Sequence, residues 1–285
     1  METLKNKIDF AVIVCVKNAN PNGDPLNGNR PRVNYDGRGE LSDVCIKRKI
    51  RNRLMAEGHA IFVQSDDNRV DDYPSLRKRA EGEISKDAWK DEKKFRESAC
   101  QKWIDVRTFG QLFPFGAEKK GEGVSIGVRG PVSIHPAFSV ATVSDRVTSI
   151  QITKSVSGQG DGTKKASDTM GMKHRVDHGV YVFYGSMNPQ LAEKTGFGVE
   201  DAEAVKQAIC TLFRNDASSA RPEGSMEVHK VYWWKHNSTV GQYSSAKVHR
   251  LLKVAVKKDD PDSIEDYAVE LGELPGLVCE VMDGE

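Results

Sequence analysis

Nine consecutive residues near the start of the chain, Ile8 to Val16 (IDFAVIVCV), are apolar at every position but Asp9. The run is too short for a membrane span, and it is rich in β-branched side chains. Continuous rather than alternating apolarity marks a strand covered on both faces, so this segment is expected at the centre of a sheet. It leads directly into KNANPNGDPLNGNRPRVNYDGRG, which is dense in Asn, Gly, Pro and Asp and is a loop by turn chemistry. Lys17, Arg30, Arg32 and Arg38 punctuate that loop beside Asn18, Asn20 and Asn22. A loop leaving the end of a central strand is a common place for a binding site.

A helix follows, SDVCIKRKIRNRLMAEG, capped by Ser42 and closed by Gly58. Its apolar side is Val44, Ile50 and Leu54, with Cys45, Ile46 and Met55 alongside. Lys47, Arg48, Lys49, Arg51 and Arg53 crowd the remainder, five cations in seven positions. A solvated face would mix signs, so this row is a candidate for phosphate contact. From His59 to Lys102 the composition turns strongly charged with mixed signs. One helix there sets Ala88, Phe95, Ala99 and Trp103 at helical spacing, and the stretch is expected to be an inserted, mostly helical subdomain. WIDVRTFGQLFPFG then packs the insertion onto the core. Val124 to Val140 gives strands broken at Gly130-Pro131, with Arg129 at the break. Glu200 to Phe213 is a helix, Val228 to Trp234 a strand, and Lys247 to Lys258 a further strand. The order of strand, helix, strands, helix, strands predicts an α+β, ferredoxin-like sheet with helices on one side.

The second feature that sets this chain apart is a long hairpin. VTSIQITKS and RVDHGVYVFYG are β-branched runs, and SVSGQGDGTKKASDTMGMKH lies between them with four glycines and three lysines. From Lys154 to Arg175 there are five Lys or Arg against two Asp. A glycine-rich basic tip attracts anions and lets the backbone approach a ligand. Lys164 and Lys165 suit phosphates, while Met170 and Met172 supply flexible apolar tips. That pairing of cation and apolar wedge fits single-stranded nucleic acid. Ser155 to Lys173 is expected to be mobile in the isolated chain and to order only over RNA and an adjacent copy, because such a composition cannot bury itself.

Net charge is +1, from 42 basic and 41 acidic residues, so any binding of nucleic acid must come from local patches. No apolar run is long enough to span a membrane. Five well-separated cysteines without a C-x-x-C pair favour reduced thiols in a cytoplasm over disulfides or structural zinc. GQGDGTKK fails the P-loop pattern, since Thr163 stands where the second glycine belongs and Lys165 follows Lys164. Asp24, Asp36 and Asp43 have no spacing that singles them out for metal, and the histidines form no triad. Neither a catalytic constellation, a metal site nor a cofactor is expected. The readings that remain from the residues are a single-stranded nucleic-acid-binding protein and, against it, a metal-dependent ribonuclease.

The opening strand with KNANPNGDPLNGNRPRV, the basic helix, WIDVRTFGQLF and the KSVSGQGDG…MGMKHRVDHGVY stretch together resemble the backbone subunit of type I CRISPR Cascade complexes, type I-C most closely. The resemblance covers nearly the whole chain. It implies an RRM-like palm (1–58 and 103–285), a helical finger insertion (59–102) and a long β-hairpin thumb with its tip at 155–174. It implies a non-catalytic scaffold of antiviral defence in the prokaryotic cytoplasm. Copies polymerise along CRISPR guide RNA, grip phosphates, and displace a base at intervals so that the guide pairs with target DNA. Further copies of the same chain, a guide-processing cap subunit and a large subunit are the implied partners. Carried onto this sequence, the RNA contacts are Lys17, Asn20, Arg30 and Arg32 in the first loop and Lys47, Arg48 and Arg51 on the helix. Arg129, Gln151, Lys154, Lys164, Lys165 and Lys173 are added along the strands and thumb, with Met170 and Met172 as the base-displacing wedge. Asp24 lies where related type III subunits carry a cleaving aspartate, and no catalytic role is assigned to it.

Overall fold

The computed structural model describes residues 2–115, 124–153 and 170–285. Among these, eight antiparallel strands form the main sheet: β1 Ile8–Ala19, β2 Arg38–Leu41, β3 Val132–Ile134, β4 Ala137–Thr142, β5 Val147–Thr153, β6 Met170–Met187, β7 Met226–Lys235 and β8 Cys279–Asp283. Their spatial order is β8-β7-β1-β6-β4-β2, with β3 and β5 also paired to β6. The helices are α1 Asp43–Ala56, α2 Leu76–Glu83, α3 Glu92–Lys102, α4 Ile104–Phe109, α5 Pro189–Thr195, α6 Val199–Cys210 and α7 Ser245–His249.

β1 is central and buried on both faces, as its apolar run predicts. Phe10, Val12, Val14 and Val16 point to one side, where Ile46, Ile50 and Leu54 of α1 and Val205 and Ile209 of α6 cover them. Ala11, Ile13 and Cys15 point to the other, against Tyr232, Trp234, Val248, Leu252 and Tyr267. Each fully buried Val, Leu, Ile or Phe contributes roughly 1.5–3 kcal/mol of transfer free energy, so this double cover fixes the register of the sheet. The chain runs strand, helix, strand pair, helix, strand (β1, α1, β4 with β6, α6, β7), and α1 and α6 share one face.

A third core lies apart. Phe62, Ala80, Ile84, Ala88, Phe95, Ala99, Cys100 and Trp103 pack with Val106 and with Phe113 and Ile126 from the hairpin of Gly110–Phe115 and Val124–Arg129. This small core therefore extends past Lys102 into a strand pair. A buried ion pair joins it to the main body: Arg107 of α4 donates to both carboxylate oxygens of Asp201 on α6, at 2.7 and 2.9 Å.

Local signals placed most elements. Ser42 Oγ accepts the Cys45 N–H and caps α1, and Gly58 takes φ +89° just past the helix end, where a side chain would be strained. Two readings differ. Val44 is 69% exposed rather than part of the apolar side of α1, whose buried positions are Ile46, Lys49, Ile50, Arg53 and Leu54. Lys49 and Arg53 are buried because partners from the far side of the fold meet them, Asp216 and Thr211 respectively. Lys247 to Lys258 divides into α7 and a strand, Leu252–Val256, which pairs with Tyr267–Leu271.

Candidate nucleic-acid interface

The first loop leaves β1 through Asn18, whose φ of 55° turns the chain out of the sheet. Lys17 is exposed at that end, opposite His178 of β6 in register. Asn20 is only 3% exposed; its Nδ2 donates to the Asn29 carbonyl at 2.7 Å, and its backbone N–H donates to Ala220 O at 2.9 Å. Its amide shapes the loop and is withdrawn from solvent, unlike the contact expected of it. Asn22 Oδ1 accepts from Ser42 N at 2.9 Å and Ser42 Oγ at 3.0 Å, locking the loop to the N-terminus of α1. Asp24 caps a short turn through Leu26 N at 3.1 Å and stands 3.8 Å from Arg32. Among the described residues it joins no cluster of carboxylates.

The loop also reaches the hairpin. Arg30 Nη1 donates to Ser149 Oγ of β5 at 3.1 Å, and that hydroxyl lies 2.7 Å from His174 Nδ1 of β6. Burial, with the Arg30 charge second, lowers the His174 pKa from its ordinary value. β5 and β6 pair from Val147↔Val176 to Thr153↔Met170. Directly opposed residues share a face, so Met172, Gln151, His174 and Ser149 stand on the side toward Arg30. Met172 is 55% exposed, and Ile150 and Ile152 are exposed on the opposite face, where Lys173 lies across from Ile150. Gln151 is exposed. Lys154, Lys164 and Lys165 fall outside the described residues, as do the side chain of Met170 and most of the segment expected to order over RNA.

The basic row of α1 is less free than its sequence suggests. Lys47 is half-buried, 3.0 Å from Asp43. Arg48 Nη1 donates to Val63 O at 2.8 Å, and burial lowers its pKa. Arg51 Nε lies 3.0 Å from Asp105 Oδ2, and its guanidinium sits 5.0 Å from the centre of the Phe109 ring. Asp105 is 1% exposed and also accepts from Phe62 N and Val63 N. The row thus faces the 61–65 segment and α4, and Arg51 is held there by Asp105 and Phe109. Arg129 is exposed at the end of its strand, opposite Gly110.

Between the first loop and α1 runs a cleft of about 330 Å³, bordered by Asn22, Arg48, Lys49, Asn52, Asp216 and Arg221. Lys49 and Arg221 both pair with Asp216. Sequence reasoning missed Arg221 and Ser149 as members of this surface. Each comes from a distant element, and no local pattern announces it. Among the described residues no helix is long and apolar enough to cross a membrane.

The sequence is similar to those of known proteins. The family described as CRISPR-associated protein Cas7 matches residues 6–272. A curated relative from Haloferax volcanii, CRISPR-associated protein Cas7, is 26% identical over 294 residues, covering 99% of this chain and 85% of its own. A chain of a solved CRISPR RNA-guided surveillance complex, pre-nicking, aligns over 90% of this chain and 80% of that one, with a TM-score of 0.49 and 15% identity. A chain of another CRISPR RNA-guided surveillance complex aligns over 90% and 72%, with a TM-score of 0.40 and 18% identity.

Proposed function

This chain belongs to the CRISPR-associated Cas7 family, and from that membership we propose that it is the multi-copy, non-catalytic backbone of a type I Cascade effector, I-C in type. In this reading β1, α1, β4, β6, α6 and β7 are the RRM-like palm. Residues 59–102 are the finger, and the β5–β6 hairpin with its tip at 155–174 is the thumb. Copies assemble along CRISPR guide RNA in the prokaryotic cytoplasm, beside a guide-processing cap subunit and a large subunit, and the guide pairs with target DNA.

One observation carries the reading: the chain of contacts from Arg30 through Ser149 to His174 joins the basic first loop to the hairpin. A strand of nucleic acid lying there would meet Lys17, Arg30, Arg32 and Arg48 on one side and Met172 and Gln151 on the other, while Lys173 offers a phosphate contact from the opposite face of the hairpin. Lys154, Lys164 and Lys165 are further proposed phosphate contacts. The charged members contact phosphate, which carries no sequence information, and Met172 or Met170 is the apolar group able to displace a base. Recognition is then left to base pairing.

The test is competition between unrelated spacer sequences of equal length for the purified protein. Near-equal affinity is expected. A preference above roughly 100-fold, about 2.8 kcal/mol at ~1.4 kcal/mol per tenfold, contradicts the reading. Turnover of RNA that depends on a divalent ion and is lost in Asp24→Asn would instead establish a nuclease.

A further inference from the structure

At the end of β1 nearest the first loop, three side chains converge for which RNA binding has no use. Cys15 of β1 and Glu227 of β7 are directly opposed in the sheet. The pairing then slips: Val14 opposes Val228 but Ile13 opposes Lys230, leaving His229 as the extra residue of a β-bulge. Bulges re-aim side chains and recur beside functional sites. Here Cys15 Sγ, a Glu227 carboxylate oxygen and a His229 ring nitrogen lie within 4.8 Å of one another. Ligand atoms around one tetrahedral zinc ion, bound at 2.0–2.3 Å, stand roughly 3.3–3.8 Å apart, so small side-chain shifts suffice to close the site. None of the three side chains makes a hydrogen bond or ion pair with another described residue.

A second observation is independent of these three. Cys15 and Glu227 border a cleft of about 250 Å³ whose other walls include Lys17, His178, Ser225 and Glu265. His178 and Ser225 are each 8% exposed, and His178 Nε2 and Ser225 Oγ are buried without a hydrogen-bond partner. Orphaned buried polar atoms are uncommon and costly, and two of them line the same space. A cation there would sit beside the Glu227 carboxylate and take the Cys15 sulfur as a thiolate ligand.

We propose that Cys15, Glu227 and His229 form a binding site for a zinc-class divalent cation, with its remaining coordination position open to the cleft. Thiolate with imidazole and one carboxylate suits Zn²⁺ and disfavours the all-oxygen preferences of Mg²⁺ and Ca²⁺. Binding releases the Cys15 proton to solvent and involves no change of oxidation state. The bound ion would bridge β1 to β7 two residues before Lys17.

The experiment is titration of the chelator-treated, full-length chain with Co²⁺ alone, followed by Zn²⁺ competition. The expected result is one cobalt ion per chain with thiolate-to-cobalt charge-transfer absorption, removed by Cys15→Ser and retained by Cys45→Ser and Cys279→Ser. Glu227→Gln and His229→Gln should weaken the ion by roughly tenfold or more. Glu227 is exposed, so its variant folds even if Cys15→Ser does not. Absence of the charge-transfer band, or unchanged affinity in both Glu227→Gln and His229→Gln, overturns the proposal. No RNA is present, so the outcome is separate from that of the guide-binding test.

Discussion

Arg51 and Lys47 sit one turn apart on α1 and do different work. Arg51 holds one oxygen of a carboxylate that is 1% exposed, Asp105, whose other contacts are two backbone N–H groups. Arg51→Ala strips the charge partner from a buried anion and should cost about 2 kcal/mol, read as a lower urea midpoint at unchanged m-value. Lys47→Ala, losing only a partly exposed pair with Asp43, should stay within about 0.5 kcal/mol. Composition shows five cations in seven positions but not which of them a distant carboxylate claims, which is why this row read as one uniform face. A pH test belongs at the same scale. Burial lowers the His249 pKa, with the His135 and Lys7 charges adding to it and the Gly185 carbonyl and Asp9 opposing it. The folded state therefore favours the neutral ring. This contribution is fully present above the ordinary histidine pKa of about 6.5 and is lost as pH falls below it, because only the unfolded chain takes up the proton readily. Urea midpoints should fall from pH 7 to pH 5, and His249→Gln, which keeps a donor for the Gly185 carbonyl, should flatten that slope.

Among the elements, the hairpin carries most of the functional reading. Its strands were legible because β-branched runs flank a glycine-rich segment. What joins it to the first loop was not legible: Arg30 meeting Ser149 depends on register, and register is set by the burial of β1 against β6. The same limit explains α7, where short local signals read as strand while Val248 packs as part of a helix against the second face of the sheet. It explains the bulge at His229 as well, since a single added residue leaves no trace in composition. Met172→Ser should leave thermal unfolding unchanged, because that side chain is 55% exposed. It should weaken guide binding by roughly 1–3 kcal/mol if the methionine stacks against a base. Lost stability with unchanged guide affinity would make Met172 a packing residue.

At the level of the whole molecule, a net charge of +1 provides no general pull on nucleic acid. The proposed contacts must therefore act locally, from the first loop, α1 and the hairpin. The order of the main sheet's strands and helices along the chain was readable from the sequence, and so was a helix carrying Phe95 and Ala99. The reach of the small core around that helix into Phe113 and Ile126 was not, because those residues lie on strands that sequence alone assigns to no particular layer. The most direct measurement is native mass spectrometry of the protein co-expressed with guide RNAs of two lengths. The account predicts a ribonucleoprotein in which the number of copies rises with guide length, whatever the spacer sequence. A single copy per guide at both lengths, or protein that purifies free of RNA, would contradict it.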